Sequence, residues 1–484
     1  VCAPTVLSAW GDQGVSRFAV GGRNACLRPS HLPLRLLRAD PPASFHLTEL
    51  FVDNLHARKN NYICFMPSHR IDWCRGSNRT RSNRRKWMIV ALLSLGFVNA
   101  YIDRTALSIA LASDEFKLAF PLTDSERGLL NSAFFWSYAA LQIPAGFVTD
   151  WLGVRWPYAI SFLLWGIVSA STAFASNLRQ LIVIRLLLGI GEAIITPASL
   201  KWITANISER QRGLAIGILF AGSKFGAALG AALGARLIAR FSWRVMFLVV
   251  GLGPLVLLLP WLAWVRDAES PRSAAPGGRE DPGFAAIWKT PAIYGILIGA
   301  VACNYFNYFN LTWLPAYFVE RWGMSLTEMG YYTAFAFIGM AAVAIGGGTM
   351  ADGLVRRGGD PIMVRKLFTV AGLVIAATEI FGTLTASRDV AVATALISMA
   401  GLGLTTANYW ALTQTLMPGA AIGRISGVQN FASNMAGVVA PALTGWLLQS
   451  TGSYDASMQA ILVVPGFGIA AYLLLVRRRF APAA

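Results

Sequence analysis

Charge is scarce in this sequence. Of its 484 residues 13% are Asp, Glu, Lys or Arg, about half the share of an ordinary soluble domain, where roughly 25% are charged. Together with a hydrophobic share of 55%, that shortage excludes a single water-soluble core. Histidine and cysteine are scarcer and badly placed for chemistry. His31, His46, His56, His69 and Cys2, Cys26, Cys64, Cys74 all precede residue 75, leaving Cys303 alone in the apolar remainder. That remainder cannot build a Ser-His-Asp or Cys-His arrangement, nor a His/Cys zinc site, because general base and ligands are missing. We expect no enzyme, no metal and no cofactor. The cysteine spacings fit no metal template and no apolar run beside them resembles a signal peptide, so no disulfide framework is inferred.

What is abundant points to lipid. Forty-six Gly, 16 Trp and 27 Phe with a mean hydropathy of +0.52 suit helices that face acyl chains and pack closely through small residues. From Trp87 onward, apolar runs of the roughly 20 residues that span a bilayer recur at 87–111, 126–149, 156–176, 180–204, 213–238, 244–265, 291–318, 328–350, 367–386, 390–416, 425–449 and 457–476. The longest polar interruption, Arg266 to Thr290, holds Pro271, Pro276, Gly277, Gly278 and eight charges. The expected fold is all-α: a polytopic membrane protein with 12 transmembrane helices in two six-helix bundles, 87–265 and 291–476, joined by a cytoplasmic loop at 266–290. Residues 477–484 form a cytoplasmic tail, and the protein is expected to be a monomer.

The net charge is +17, and residues 1–86 supply +9 of it, with 14 Lys and Arg against 5 Asp and Glu. This segment lacks sustained periodicity and reads as a disordered basic cytoplasmic tail, within which Met66 before a basic stretch would make a conventional start. Basic flanks of membrane helices account for the positive balance, so no nucleic-acid partner is expected. Loop charges set the orientation. The first hairpin loop (Asp114, Glu115, Lys117, Asp124, Glu126, Arg127) is net acidic, while Arg155, Arg210, Arg212, Arg356, Arg357, Arg365, Lys366 and Arg477 to Arg479 gather on the other side. By the positive-inside rule both termini are cytoplasmic in an inner or plasma membrane.

The halves resemble each other. A shift of 210 residues aligns Gly213, Gly217, Ser223 and Lys224 with Gly423, Gly427, Ser433 and Asn434, a parallel repeat that implies a site at the interface of the halves. Five ionisable residues lie deep in the first half: Asp103 and Arg104 in run 1, Arg185 and Glu192 in run 4, Lys224 in run 5. Each costs roughly 2.5 to 3.5 kcal/mol at a helix centre on insertion scales, so they must meet one another or a wet chamber. Arg185 and Glu192, two turns apart, share a helix face at about 10 Å. Three cations against two anions leave a surplus positive charge that a bound anion would neutralise. The second half offers Glu379, to which no role is assigned, and amides and aromatics such as Asn304, Asn307, Tyr308, Tyr409 and Asn430. Of these we single out Asn434, the repeat mate of Lys224. Gly226-x3-Gly230-x3-Gly234 and Gly189-x-Gly191 are read as packing contacts, since no strand context for a phosphate loop exists.

Gly146-x3-Asp150-x2-Gly153-x-Arg155, between runs 2 and 3, permits, through its two glycines, a close helix approach and a tight turn, and an Asp150 to Arg155 pair across a cytoplasmic junction. Its spacing is the loop signature of the major facilitator superfamily. With Asn99-Ala-Tyr101-Ile-Asp103-Arg104, Tyr138-x3-Gln142-x-Pro144 and Arg185-x3-Gly189-x-Gly191-Glu192, residues Trp87 to Val476 resemble the anion:cation symporter family of that superfamily. It includes bacterial carriers of galactonate, glucarate and hexuronates. The resemblance implies proton-coupled import of a small organic anion, a sugar acid or related carboxylate, by alternating access. It makes Arg104 the substrate-carboxylate ligand, Asp103 and Glu192 the protonatable pair, Arg185 the partner that tunes Glu192, and Tyr101 and Tyr138 cavity-lining residues. Asp150 and Arg155 would help hold the cytoplasmic side shut. Sugar-acid members often carry Gln where this chain has Lys224, which favours a second carboxylate or a different acid. A proton-driven drug exporter would want an apolar cavity instead, and a non-transporting receptor would bind without flux.

Overall fold

The computed structural model describes residues 68–266, 287–417 and 422–477. We number its twelve long passes α1 to α12: α1 Ser68–Ala112, α2 Asp124–Leu152, α3 Arg155–Ser171, α4 in two pieces (Leu178–Glu192 and Ile195–Asn206), α5 Glu209–Arg240 and α6 Trp243–Trp264 form the first half. The second half is α7 Pro291–Trp322, α8 Leu326–Arg356, α9 Pro361–Ala376 with a short continuation to Leu384, α10 Arg388–Leu416, α11 Ile422–Thr451 and α12 Tyr454–Leu474. Eleven passes are apolar and long enough to cross a membrane. The twelfth, α2, is 29 residues long and carries polar side chains because much of it packs on protein: α4 on one side and α11 of the other half. Helices satisfy every backbone group internally, which is what a hydrocarbon environment demands.

Chain punctuation follows the local chemistry. Thr123 and Glu126 make a reciprocal capping box at the start of α2, and Asn177, Ser242, Ser325, Asp360 and Ser453 cap later passes with side-chain oxygens, each supplying an acceptor to an orphan amide. Gly153 ends α2 at φ 81°, a left-handed conformation that favours glycine, as the loop motif requires. The break in α4 has a similar origin. Pro197 has no N–H for the Ala193 carbonyl, and the helix turns at Ala193 and Ile194, directly after Glu192.

Two sequence expectations are corrected. Residues 68–86, read as part of a disordered tail, continue α1; that stretch contains no proline and its Arg and Lys are good helix formers, so α1 propagates backward. Residues 1–67 of the tail, the central loop at 267–286, residues 418–421 and the last residues from 478 lie outside the described residues. Gly146, expected to permit a close helix approach, has no atom within 4 Å of where its Cβ would sit. The other glycine readings hold. A Cβ on Gly230 would come 2.9 Å from Ile102 Cα, and one on Gly191 would meet Trp165 at 3.3 Å.

The halves meet mainly at the end bearing the acidic first loop. There α2 packs on α11 and α5 on α8 through glycines: a Cβ on Gly128 would lie 2.6 Å from the Pro441 carbonyl, and one on Gly330 would lie 2.8 Å from the Ala231 carbonyl. Ser108 donates to Leu311 O (2.8 Å) and Ser132 to Val438 O (2.7 Å) across the same seam. Toward the arginine-rich end the seam continues to Asn430, which donates to Gln142 at 2.9 Å. Beyond it, Gly146 of α2, Gly213 and Gly217 of α5 and Gly427 of α11 all have open space where a Cβ would be.

Candidate functional site

Asp103 and Arg104 are consecutive on α1, so their side chains leave the helix about 100° apart and reach different places on α4. Arg104 donates through Nε (3.0 Å) and Nη2 (2.8 Å) to one oxygen of Glu192. Its guanidinium lies over the rings of Tyr101, Phe134 and Tyr138 at 4.8, 4.7 and 4.6 Å. Such cation-ring contacts contribute roughly 0.5 to 2 kcal/mol each depending on exposure, and they hold the planar group edge-on to Glu192. The other carboxylate oxygen of Glu192 is buried without a hydrogen-bond partner.

Asp103 is fully buried. It accepts from Trp165 Nε1 at 2.7 Å and faces Arg185 Nη1 at 3.8 Å. The resemblance made Arg185 the partner that tunes Glu192; in the structure the carboxylate within ion-pair distance of Arg185 is Asp103, and Glu192 is held by Arg104. Periodicity places two residues of α4 on one face but does not tell which residue of α1 each will meet.

Lys224 on α5 reaches across the seam and donates to Asn307 Oδ1 of α7 at 3.2 Å. Tyr308, the next residue of α7, donates to Asn434 Oδ1 at 2.8 Å. The repeat mates Lys224 and Asn434 therefore engage consecutive residues of one helix. Tyr138 Oη and Thr196 Oγ1 lie 3.3 Å apart, and Asn304 donates to Tyr409 Oη at 3.2 Å. Arg104 and Arg185 also touch a cavity of about 10 Å³ walled by Asn131, Phe134, Leu311 and Thr312, room for roughly one water. On that side, toward the acidic loops, the site is closed.

The closure carries a charged cluster that sequence reasoning missed. Glu320, near the end of α7, accepts from Lys117 (2.9 Å) and Arg127 (2.7 Å) of the first half and from Tyr454 Oη (2.6 Å), and Arg127 also pairs with Asp124 at 2.8 Å. Each of these residues reads in the sequence as an ordinary helix-end charge or ring.

The expected Asp150 to Arg155 pair is not formed. Asp150 bonds to Lys201 of α4 at 2.8 Å, while Arg155 donates to the Leu262 carbonyl at 3.1 Å and lies over Trp156. The turn at Gly153 sends the two side chains to different neighbours. Glu379 is buried where α9 ends, accepting from Asn310 (3.2 Å) and Ser398 (2.9 Å), and so ties α9 to α7 and α10. Among the described residues no three His, Cys, Asp or Glu side chains converge as a metal site would need.

Known proteins match this layout. Residues 93–441 fit the family model described as Major Facilitator Superfamily. A D-galactonate transporter of Escherichia coli O6:H1 strain CFT073 is 29% identical over 423 residues, which cover 82% of this chain and 97% of that protein. A hexuronate transporter of Bacillus subtilis strain 168 is also 29% identical, over 411 residues covering 82% and 95%. Among solved structures, a bacterial homologue of the human lysosomal transporter Spinster superposes with a TM-score of 0.70 at 19% identity, covering 82% of this chain and 99% of that one. A D-xylose-proton symporter gives 0.65 at 18% identity, covering 82% and 98%. With the family model spanning most of the membrane region, this chain belongs to the Major Facilitator Superfamily and is a transporter, not an enzyme.

Proposed function

We propose that the protein imports a small organic anion, a sugar acid or related carboxylate, together with protons. The observation that carries this reading is the Arg104 to Glu192 contact: two N–H groups on one carboxylate oxygen, the other oxygen bare, all beneath aromatic rings. A substrate carboxylate offers Arg104 the same geometry with two oxygens. When it takes the guanidinium, Glu192 is left buried without its cation, and an unpaired buried charge is strongly disfavoured. Glu192 therefore accepts a proton as the anion binds, and gives it up when Arg104 returns. Asp103, held by Trp165 and Arg185, supplies capacity for a second proton.

The energetics favour such coupling. An anion entering an inside-negative cell is opposed by about 2.3 kcal/mol per charge per 100 mV. One proton removes that penalty for a monoanion and a second makes the step inwardly driven. We read the arginine-rich end as cytoplasmic, which puts both termini inside and makes the state described here inward-facing, sealed outside by Glu320 and its partners. In the outward-facing state Asp150 and Arg155 border the seam that closes. The carriers of galactonate and hexuronate among its relatives support a sugar acid as cargo.

Proteoliposomes with an acid-outside gradient test the reading. Galactonate, glucarate or a hexuronate should accumulate faster than without the gradient, and substrate affinity should strengthen as pH falls. Glu192→Gln should bind with an affinity independent of pH and lose gradient-driven uptake. Uptake by that variant with unchanged proton dependence would remove Glu192 from coupling.

A further inference from the structure

Resting on the symport reading above, we infer that Lys224 is the docking cation for a second acidic group, so that the preferred cargo is a short organic dianion with one carboxylate for Arg104 and another for Lys224.

The charge balance of the site leads there. Arg104 with Glu192 and Arg185 with Asp103 are neutral pairs. Lys224 is left over: its hydrogen-bond partner is the Asn307 amide, and among the described residues no carboxylate lies within ion-pair distance of it. An ammonium at membrane depth without an anion is costly and marks a functional position by default. Depth and company place it with Arg104. Ser108 lies one turn beyond Arg104 on α1 and Leu311 one turn beyond Asn307 on α7, and the two passes run in the same direction. Because Ser108 Oγ donates to Leu311 O at 2.8 Å, Arg104 and Asn307 stand at about the same level, and the Lys224 ammonium reaches that level by bonding to Asn307. The ring of Tyr308, beside Asn307, packs on Phe135 at 4.5 Å, and Phe135 adjoins the Phe134 ring under Arg104. The two cations thus stand at one level on adjoining passes, around the same cluster of aromatic rings, an arrangement that suits a carbon chain with an acid at each end.

A dianion also settles the loaded state. One carboxylate takes Arg104 and the other takes Lys224, so both cations are paired, and two protons, one on Glu192 and one on Asp103, offset the two charges that the dianion carries across. A monoanion leaves Lys224 as it was. Asn307, released by the ammonium, is free to bond a hydroxyl of the cargo.

Galactonate and galactarate, six-carbon acids that differ in a single end group, provide the test. In proteoliposomes, wild-type protein should show an apparent affinity for galactarate roughly 10- to 100-fold tighter than for galactonate, the worth of one charge-assisted bond. Lys224→Gln should bring that ratio to within about threefold of one, the residual expected of a neutral hydrogen bond, and Lys224→Arg should restore it. If Lys224→Gln does not fold, the wild-type ratio and the Arg variant still decide. Acids that are carried with a wild-type ratio near one, or with a ratio that survives Lys224→Gln, overturn the inference and spare the symport reading. Failure of both acids and of hexuronates to bind or move overturns that reading, and the inference with it.

Discussion

At the scale of single residues, each deep charge of the first half is held by a charged or amide side chain from another helix. Trp165 adds a neutral donor, fixed to Asp103 at 2.7 Å with both groups buried. Replacing it with Phe removes a hydrogen bond to a charged group, worth about 1.5 to 3 kcal/mol. The expected outcome for Trp165→Phe is a lower melting temperature in detergent, together with an altered dependence of uptake on the proton gradient. Melting and uptake like those of wild type would show that Arg185 alone positions Asp103. The presence of these charges was legible in the sequence, because ionisable residues in a 20-residue apolar run cannot face lipid and must converge. Their pairing was not. Arg185 and Glu192 share a face of α4, yet each finds its partner on α1, and the relative rotation of two helices leaves no trace in the spacing along either one. Trp165 was invisible for a plainer reason: a tryptophan in a membrane run reads first as an interfacial anchor.

Among elements, the twelve passes and their division into halves could be read directly, since apolar runs of about 20 residues are the length a helix needs to cross hydrocarbon with its backbone bonded within the segment. The interruptions were harder. Run 4 looked continuous, but Pro197 turns α4 at Ala193 and Ile194 and leaves Glu192 as the last residue of its upper piece. The junction of α7 with the first half was also hidden, because its members, Lys117, Arg127, Glu320 and Tyr454, are scattered over hundreds of residues. Glu320 has side-chain exposure of 23%, so its two ion pairs are partly screened and together are worth of the order of 1 to 3 kcal/mol. Glu320→Gln should shift the resting balance toward the state open at the acidic-loop end. A single cysteine at Asn131 or Thr312, both walls of the small closed cavity, should then react with an impermeant thiol reagent from that side about tenfold faster, the equivalent of roughly 1.4 kcal/mol. An unchanged rate would mean that the apolar and glycine contacts of the seam hold the closure without the charges.

For the whole molecule, the parallel repeat ties the closed end to the open one. At the closed end α2 meets α11 and α5 meets α8 through Gly128 and Gly330, where no Cβ would fit. At the other end the same helix pairs carry Gly146, Gly213, Gly217 and Gly427, all surrounded by open space. The repeat symmetry suggests that these four become the contact when the molecule rocks to its opposite state. Gly217→Leu and Gly427→Leu are expected to slow uptake at least tenfold, while binding from the arginine-rich side persists; normal turnover in both would show that the helices do not approach there. The size of the effect follows from a closing contact weakened by about 1.4 kcal/mol or more.

The empty flanks of those glycines have a practical corollary. A Cβ added there meets no atom within 4 Å in the state described, and a helical glycine replaced by a better helix former gains about 0.5 to 1 kcal/mol. Screens that rank variants by expression or heat tolerance would accordingly promote Leu at Gly217 and Gly427 as improvements, and would enrich for carriers that are robust and idle. Selection for yield and selection for flux pull these positions in opposite directions.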